Sequence, residues 1–265
     1  MRRALPVALI AMLLAVMLLV APAQVVDEAT QKNARQARAT LDAMVQALGG
    51  EAWLNQKNQV SQGRIEAYFH GLRSGGESEF WQYHAWPDHD RLEFSRHRDI
   101  VQFFLGRTGS EVTFRGDTPL PQEPVDEFLR RRDHSIETVI KLWLNDPKTL
   151  LVNEGRRTVD QHTADQVTLI SAQNDAVTIQ IDAATHLPLS RSFVWRDPVY
   201  KDNTSVDAEK YDEYITVDGI STPFIITRFK DDDIIRQYFL VHVSYNQELP
   251  SDLWSTEAAA RRIRK

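Results

Sequence analysis

The 265-residue chain contains no cysteine. That excludes disulfides, thiolate metal sites, a cysteine nucleophile and a lipid-modified N-terminal cysteine. A surplus of positive charge is missing as well. Lys and Arg number 31 against 37 Asp and Glu, a net charge of −6. A general nucleic-acid binder needs a basic surface, so nucleic acid is not an expected partner. There is no G-x-S-x-G nucleophile elbow. The eight histidines (His70, His84, His89, His97, His134, His162, His186 and His242) show no metal-ligand spacing. Asp231-Asp232-Asp233 lacks the alternating spacing and the glycine of a calcium loop and reads as a solvated turn. No catalytic group stands out, and neither cofactor nor metal is expected.

What is present begins with an export signal. Arg2 and Arg3 precede a continuous apolar run, Leu5 to Val20, and Ala21-Pro22-Ala23 is a small-residue cleavage site. Those three parts make a secretory signal peptide spanning residues 1–23, cut after about Ala23. The run is short for a membrane-spanning helix, which needs about 20 residues. Loss of Arg2 and Arg3 takes the net charge from −6 to −8. An exported chain without disulfides must hold together by its core, and about 240 residues can do so as one domain.

Residues 27–48 have apolar positions at helical spacing: Ala34, Ala37, Leu41, Met44, Val45 and Leu48. Gly49-Gly50 stops that helix, and 51–57 reads as one further turn. Strand signals follow at 62–70, 77–86, 91–96, 100–105 and 111–115, separated by Gly, Ser, Pro and Asp turns. Prolines at 119, 121 and 124 interrupt the sheet before a second apolar stripe, Val125 to Leu144, which Arg130-Arg131-Arg132 and His134-Ser135 break up. Strands resume at 150–153, 157–160, 164–171, 176–182 and 189–196, and 197–207 reads as a surface loop. Tyr211 to Asn246 then reads as three strands, with an Asp218-Gly219 hairpin turn between the first two. Its apolar face is expected to carry Ile225, Phe229 and alternate residues of 234–245. Residues 255–265 form a basic tail, expected to be a frayed helix or disordered. The predicted fold is mainly β (α+β): one curled antiparallel sheet of roughly ten strands, whose concave face the segments 27–48 and 125–144 cover.

Four stretches carry a resemblance. They are a leading helix ending Ala47-Leu48-Gly49-Gly50 before Trp53; the hairpin EFWQYHAWPDHDRLEF, Glu79 to Phe94; IDAATHLPL, Ile181 to Leu189; and YDEYITVDGISTPFIITRF with VSYNQELPSDLW downstream. In this order the chain resembles the LolA/LolB-like periplasmic lipoprotein carrier superfamily, in particular its outer membrane lipoprotein-sorting group. The resemblance implies a half-open β-barrel with helices covering an apolar cavity over residues 24–254. It also implies periplasmic localisation without a lipid anchor, and binding of lipid or lipoprotein acyl chains. In one respect the chain departs from that family. The classical carrier has an arginine immediately before the proline of the early hairpin, and here Trp86 precedes Pro87. The resemblance therefore implies a hydrophobic-ligand role without that lid arginine.

The residues expected to line a cavity are Trp81, Tyr83, Trp86, Leu92, Phe94, Phe103, Leu105, Val112, Phe114, Phe128, Ile136 and Ile140. Large apolar residues are usually buried for packing alone, and periodicity does not separate a lined cavity from a filled one. Three readings stay open on the residues. The first is a monomeric, non-enzymatic carrier or chaperone of lipid or lipoprotein acyl chains, served by an inner- or outer-membrane envelope partner. The second is a periplasmic interaction module with a filled barrel and no lipid cargo. The third is a hydrolase using histidines of the early hairpin.

Overall fold

A computed structural model describes residues 27–197, 199–200 and 202–264. The expected signal peptide lies outside them. Helix α1 (Glu28–Leu48) starts at Asp27, whose side chain accepts a hydrogen bond from the Ala29 amide. It ends at Gly49, followed by the short helix α2 (Glu51–Leu54). Seven strands follow: β1 (Asn58–Phe69), β2 (Leu72–Arg73), β3 (Ser78–Ala85), β4 (His89–Phe94), β5 (Ile100–Leu105), β6 (Thr108–Thr113) and β7 (Gly116–Pro119). Helices α3 (Gln122–Asp133) and α4 (Ile136–Lys141) interrupt them. Then come β8 (Leu150–Val159), β9 (His162–Ile170), β10 (Ala176–Asp182), β11 (Pro188–Arg196), β12 (Thr204–Val217), β13 (Ile220–Lys230), β14 (Asp233–Tyr245) and a final helix, α5 (Thr256–Ile263).

All fourteen strands belong to one antiparallel sheet, ordered β7-β6-β5-β4-β3-β1-β14-β13-β12-β11-β10-β9-β8, with β2 beside β1. Each hairpin is local except one: β1 pairs with the last strand, β14, and so joins the two halves. The sheet curls without closing. Its two edges, β7 and β8, are consecutive in the chain, and the segment that connects them is α3–α4. The helical insertion therefore bridges the gap of a half-open barrel. The fold class is the one expected from the sequence.

Two close approaches need glycine. A Cβ on Gly63 would lie 2.1 Å from the Phe239 carbonyl, where β1 bulges against β14. A Cβ on Gly49, whose φ is 131°, would lie 2.5 Å from the Gly219 carbonyl. The stop of α1 thus seats on the Asp218-Gly219 hairpin turn, and Ser221 Oγ donates to the Ala47 carbonyl at 2.8 Å.

Several boundaries differ from the sequence reading. Residues 150–159 form one strand, because Glu154-Gly155 is a bulge in the β8–β9 ladder and not a turn. Strand β12 begins at Thr204, inside the expected loop, because its backbone pairs with β11 through Arg196↔Thr204. The 256–263 stretch is neither frayed nor disordered. Ser255 caps it by accepting from the Ala258 amide, and Ala259 is buried on Val101, Phe103 and Val112 of the convex face.

Candidate functional site

The concave face has two parts. Beneath α1 it is filled: Ala37, Leu41, Met44, Val45 and Leu48 pack with Val167, Leu169, Val177, Ile179, Ile181 and Phe193. Beneath α3 it is not filled by side chains. A cavity of about 450 Å³ lies between α3–α4 and the inner faces of β1, β3–β5 and β11–β14. A smaller pocket of about 170 Å³ adjoins it and shares Gln59, Glu137, Ile226 and Leu240.

One wall of the cavity is apolar and largely aromatic. It comprises Phe80, Leu92, Phe94, Phe104 and Phe128, continued by Tyr238 and Leu240. The Phe104 and Phe128 rings stack, which brings α3 onto β5, while Phe80 meets Tyr238 edge-on with centroids 5.4 Å apart. Val125 and Leu129 anchor the same helix beside Leu92 and Phe104.

The opposite wall is charged, and strand register explains how. Arg191 of β11 stands opposite Glu209 of β12, Glu209 opposite Arg228 of β13, and Arg228 opposite Arg236 of β14. A row of three arginines and one carboxylate thus crosses four strands on one face. Arg228 Nε donates to Glu209 at 2.8 Å, and its Nη1 donates to the Tyr238 hydroxyl at 2.9 Å. Arg191 Nη2 lies 3.3 Å from Glu209. Burial alone would raise the Glu209 carboxyl, but Arg191 and Arg228 outweigh it and hold it down at about 2. Above the row, Arg131 of α3 grips Asp207 through Nε at 2.9 Å.

Between the walls sits His84. Its Nδ1 bonds Asp90 at 2.8 Å, and its Nε2 lies 3.3 Å from Glu137 of α4. Burial disfavours the imidazolium, but the hydrogen bond to Asp90 and the adjacent Glu137 carboxylate prevail and push its pKa up to about 10. Glu137, likewise buried, is held at about 2 by His84 and by Lys141, which donates to it at 2.7 Å. Arg132 closes the network on Asp90 at 3.4 Å and donates to the Asp88 carbonyl at 3.0 Å. The α3–α4 cover is therefore latched on both sides, by Arg131–Asp207 and by Arg132–Asp90. A His84 that keeps its proton at neutral pH is no general base.

The structure places the expected residues on different surfaces. Leu92, Phe94 and Phe128 line the cavity, and Ile136 lines the smaller pocket. Ile140 is 2% exposed within the core under α1. Trp81 and Tyr83 face the convex side, because the two-residue period of β3 turns Phe80, Gln82 and His84 inward instead. There Arg98 lies over the Trp81 ring and donates to the Tyr83 hydroxyl. Phe103, Leu105 and Val112 belong to the cluster beneath α5. Trp86 sits at the β3–β4 turn under Lys141 Nζ. Phe114 is 74% exposed, past the end of β6. On β13 the inward residues are Ile226 and Arg228, not Ile225 and Phe229. The charged row escaped sequence reading altogether. Its signal was available: Arg228 shares the parity of Ile226, Arg236 that of Tyr238, and Arg191 that of Phe193.

The overall architecture matches solved structures at low identity. A DUF1329 family protein from Desulfovibrio piger superposes with a TM-score of 0.57 at 13% identity, covering 84% of this chain and 98% of that one. A LolA superfamily protein from Nitrosomonas europaea gives 0.53 at 10%, covering 84% and 98%. An outer membrane lipoprotein-sorting protein domain from Vibrio parahaemolyticus gives 0.51 at 9%, covering 88% and 99%. No protein-family model matches the chain, and no curated protein matches it. The fold is LolA-like. Among the described residues, no helix is long and apolar enough to cross a membrane.

Proposed function

We propose that this chain is a non-enzymatic periplasmic carrier or chaperone that holds acyl chains of a lipid or lipoprotein in its cavity during transfer between membranes. The observation that supports this most is the cavity of about 450 Å³ under α3, walled by Phe80, Leu92, Phe94, Phe104 and Phe128 within a LolA-like half-barrel. Its size falls within the range of about 300–1,000 Å³ typical of small-molecule sites. Moving one CH2 from water onto an apolar wall is worth about 0.8 kcal/mol. About ten such groups supply roughly 8 kcal/mol, less the cost of ordering the chain and of moving the cover. Binding of this kind needs no nucleophile and no metal. The α3–α4 cover opens by releasing its two latches, and an inner- or outer-membrane envelope partner donates or receives the cargo. The cavity favours this reading over an interaction module with a filled barrel.

Fluorescence titration of the purified chain with dansyl-undecanoic acid tests the proposal. The expected result is saturable, blue-shifted emission at one probe per chain, competed by unlabelled hexadecanoate and lost in Leu92→Trp, which places an indole in the cavity. Emission that does not saturate, or that Leu92→Trp leaves unchanged, overturns it.

A further inference from the structure

The charged wall is built with more donors than its own carboxylates use. Arg191 is 1% exposed and Arg131 9% exposed. Nε and Nη1 of Arg191 and Nη2 of Arg131 are buried without a hydrogen-bond partner among the described residues. A buried charged donor left unpaired is costly, so such groups are ordinarily satisfied by something. Beside them, Arg228 and Arg236 stand directly opposite each other on neighbouring strands. Like charges in that position repel. Glu209 engages Arg228, whereas the Arg236 side chain makes no hydrogen bond or ion pair with a described residue. All four arginines line the one cavity. The carboxylates nearby are already committed: Glu209 to Arg191 and Arg228, Asp207 to Arg131 and, at 4.0 Å and beyond hydrogen-bond reach, to Arg191 Nη1, Glu127 to Arg131, and Asp90 and Glu137 to His84.

We infer that Arg131, Arg191, Arg228 and Arg236 form a binding site for one oxyanion group, a phosphate or carboxylate, carried as the head of an anionic amphiphile whose tail lies against the phenylalanine wall. Guanidinium forks suit this chemistry, since they offer paired N–H donors to two oxygens of one group. An oxyanion here satisfies the unpaired donors and offsets the Arg228–Arg236 repulsion. The inference rests on the carrier reading above and narrows its cargo: the head is recognised by the charged wall, between the buried Arg191 and Arg131 and the exposed Arg236.

Calorimetric titration of the purified chain separates the terms, with three probes kept below their micelle concentrations. They are 1-palmitoyl lysophosphatidic acid, 1-palmitoylglycerol with the same tail and no charge, and inorganic phosphate alone. The lysophosphatidic acid is expected to bind at least about tenfold more tightly than either of the others, the scale of one charge-assisted contact. Arg236→Gln removes an exposed side chain with no partner, so the fold is not at stake. It is expected to shrink the advantage over palmitoylglycerol to below about threefold, with palmitoylglycerol binding unchanged. Equal affinity for the two palmitoyl probes overturns the arginine site and leaves the carrier reading standing. Phosphate binding as tightly as the lysophosphatidic acid overturns the amphiphile and assigns the site to a free anion. Binding of none of the three overturns both readings, and an Arg236→Gln variant with undiminished selectivity overturns the four-arginine site.

Discussion

The two halves of the concave face use one device with opposite results. In each, an amphipathic helix lies across a curled sheet. Under α1 the sheet and helix meet as a dry core, with Leu41, Met44, Val167, Leu169, Val177, Ile179 and Ile181 all 0% exposed. Under α3 only one edge of the helix is apolar, through Val125, Phe128 and Leu129, and the next turn presents Arg131 and Arg132. Strands β11 to β14 answer with Arg191, Glu209, Arg228 and Arg236. Aliphatic side chains interdigitate to close packing. Long charged ones hold the helix off the sheet at the distance their ion pairs set. The difference teaches that stability and capacity are divided along the barrel: α1 fixes the sheet, and α3 spans a space.

The largest expected effect breaks the charged wall. Glu209→Gln leaves Arg191 and Arg228 buried without their carboxylate, and chemical denaturation should register a loss of about 3–5 kcal/mol. Next is a paired truncation. Leu41→Ala, in the filled half, should cost about 3 kcal/mol. Phe128→Ala, on the half-buried cavity wall, should cost about 1 kcal/mol by the same measurement while abolishing probe binding. A paired enlargement sharpens the contrast further. Ile179→Trp should lower stability by about 2 kcal/mol or more through overpacking, whereas Leu92→Trp should leave the melting temperature unchanged or raised, because the cavity receives the added ring.

The pH dependence should also originate in the cavity half. His84, raised to about 10, contributes stability that is complete below the ordinary histidine value near 6.5 and declines as pH rises through about 10. Glu137 and Glu209, held at about 2, contribute stability present above about 4.5 and lost as pH falls through about 2. Melting temperatures should therefore be highest between about pH 4.5 and 6.5. In His84→Gln the alkaline decline should flatten. An unaltered alkaline limb in that variant would place the titration elsewhere.

Much of the architecture was legible in the chain, but not which half is filled. The stripe from Ala37 to Leu48, the Gly49 stop and the alternating strands gave the curled sheet and its two covers, because period and turn chemistry are local properties. The sorting of residues between faces was legible only in part. In the early hairpins both parities are apolar: Trp81 and Tyr83 alternate with Phe80, and Phe103 with Phe104. The sequence offers two hydrophobic faces there, and the second exists because α5 covers the convex side through Ala259 and an Arg262–Glu93 ion pair at 3.0 Å. That covering is a long-range contact no local pattern announces. The arginine row was hidden for a related reason. Each member reads singly as a surface charge, and only the register across four strands assembles them.

Native mass spectrometry of the purified chain after incubation with 1-palmitoyl lysophosphatidic acid tests the central claim most directly, because it counts occupants of the open half. The account predicts one adduct per chain, retained in Ile140→Val of the filled half and lost in Leu92→Trp. A bare chain mass throughout, or an adduct that Leu92→Trp leaves in place, would contradict it.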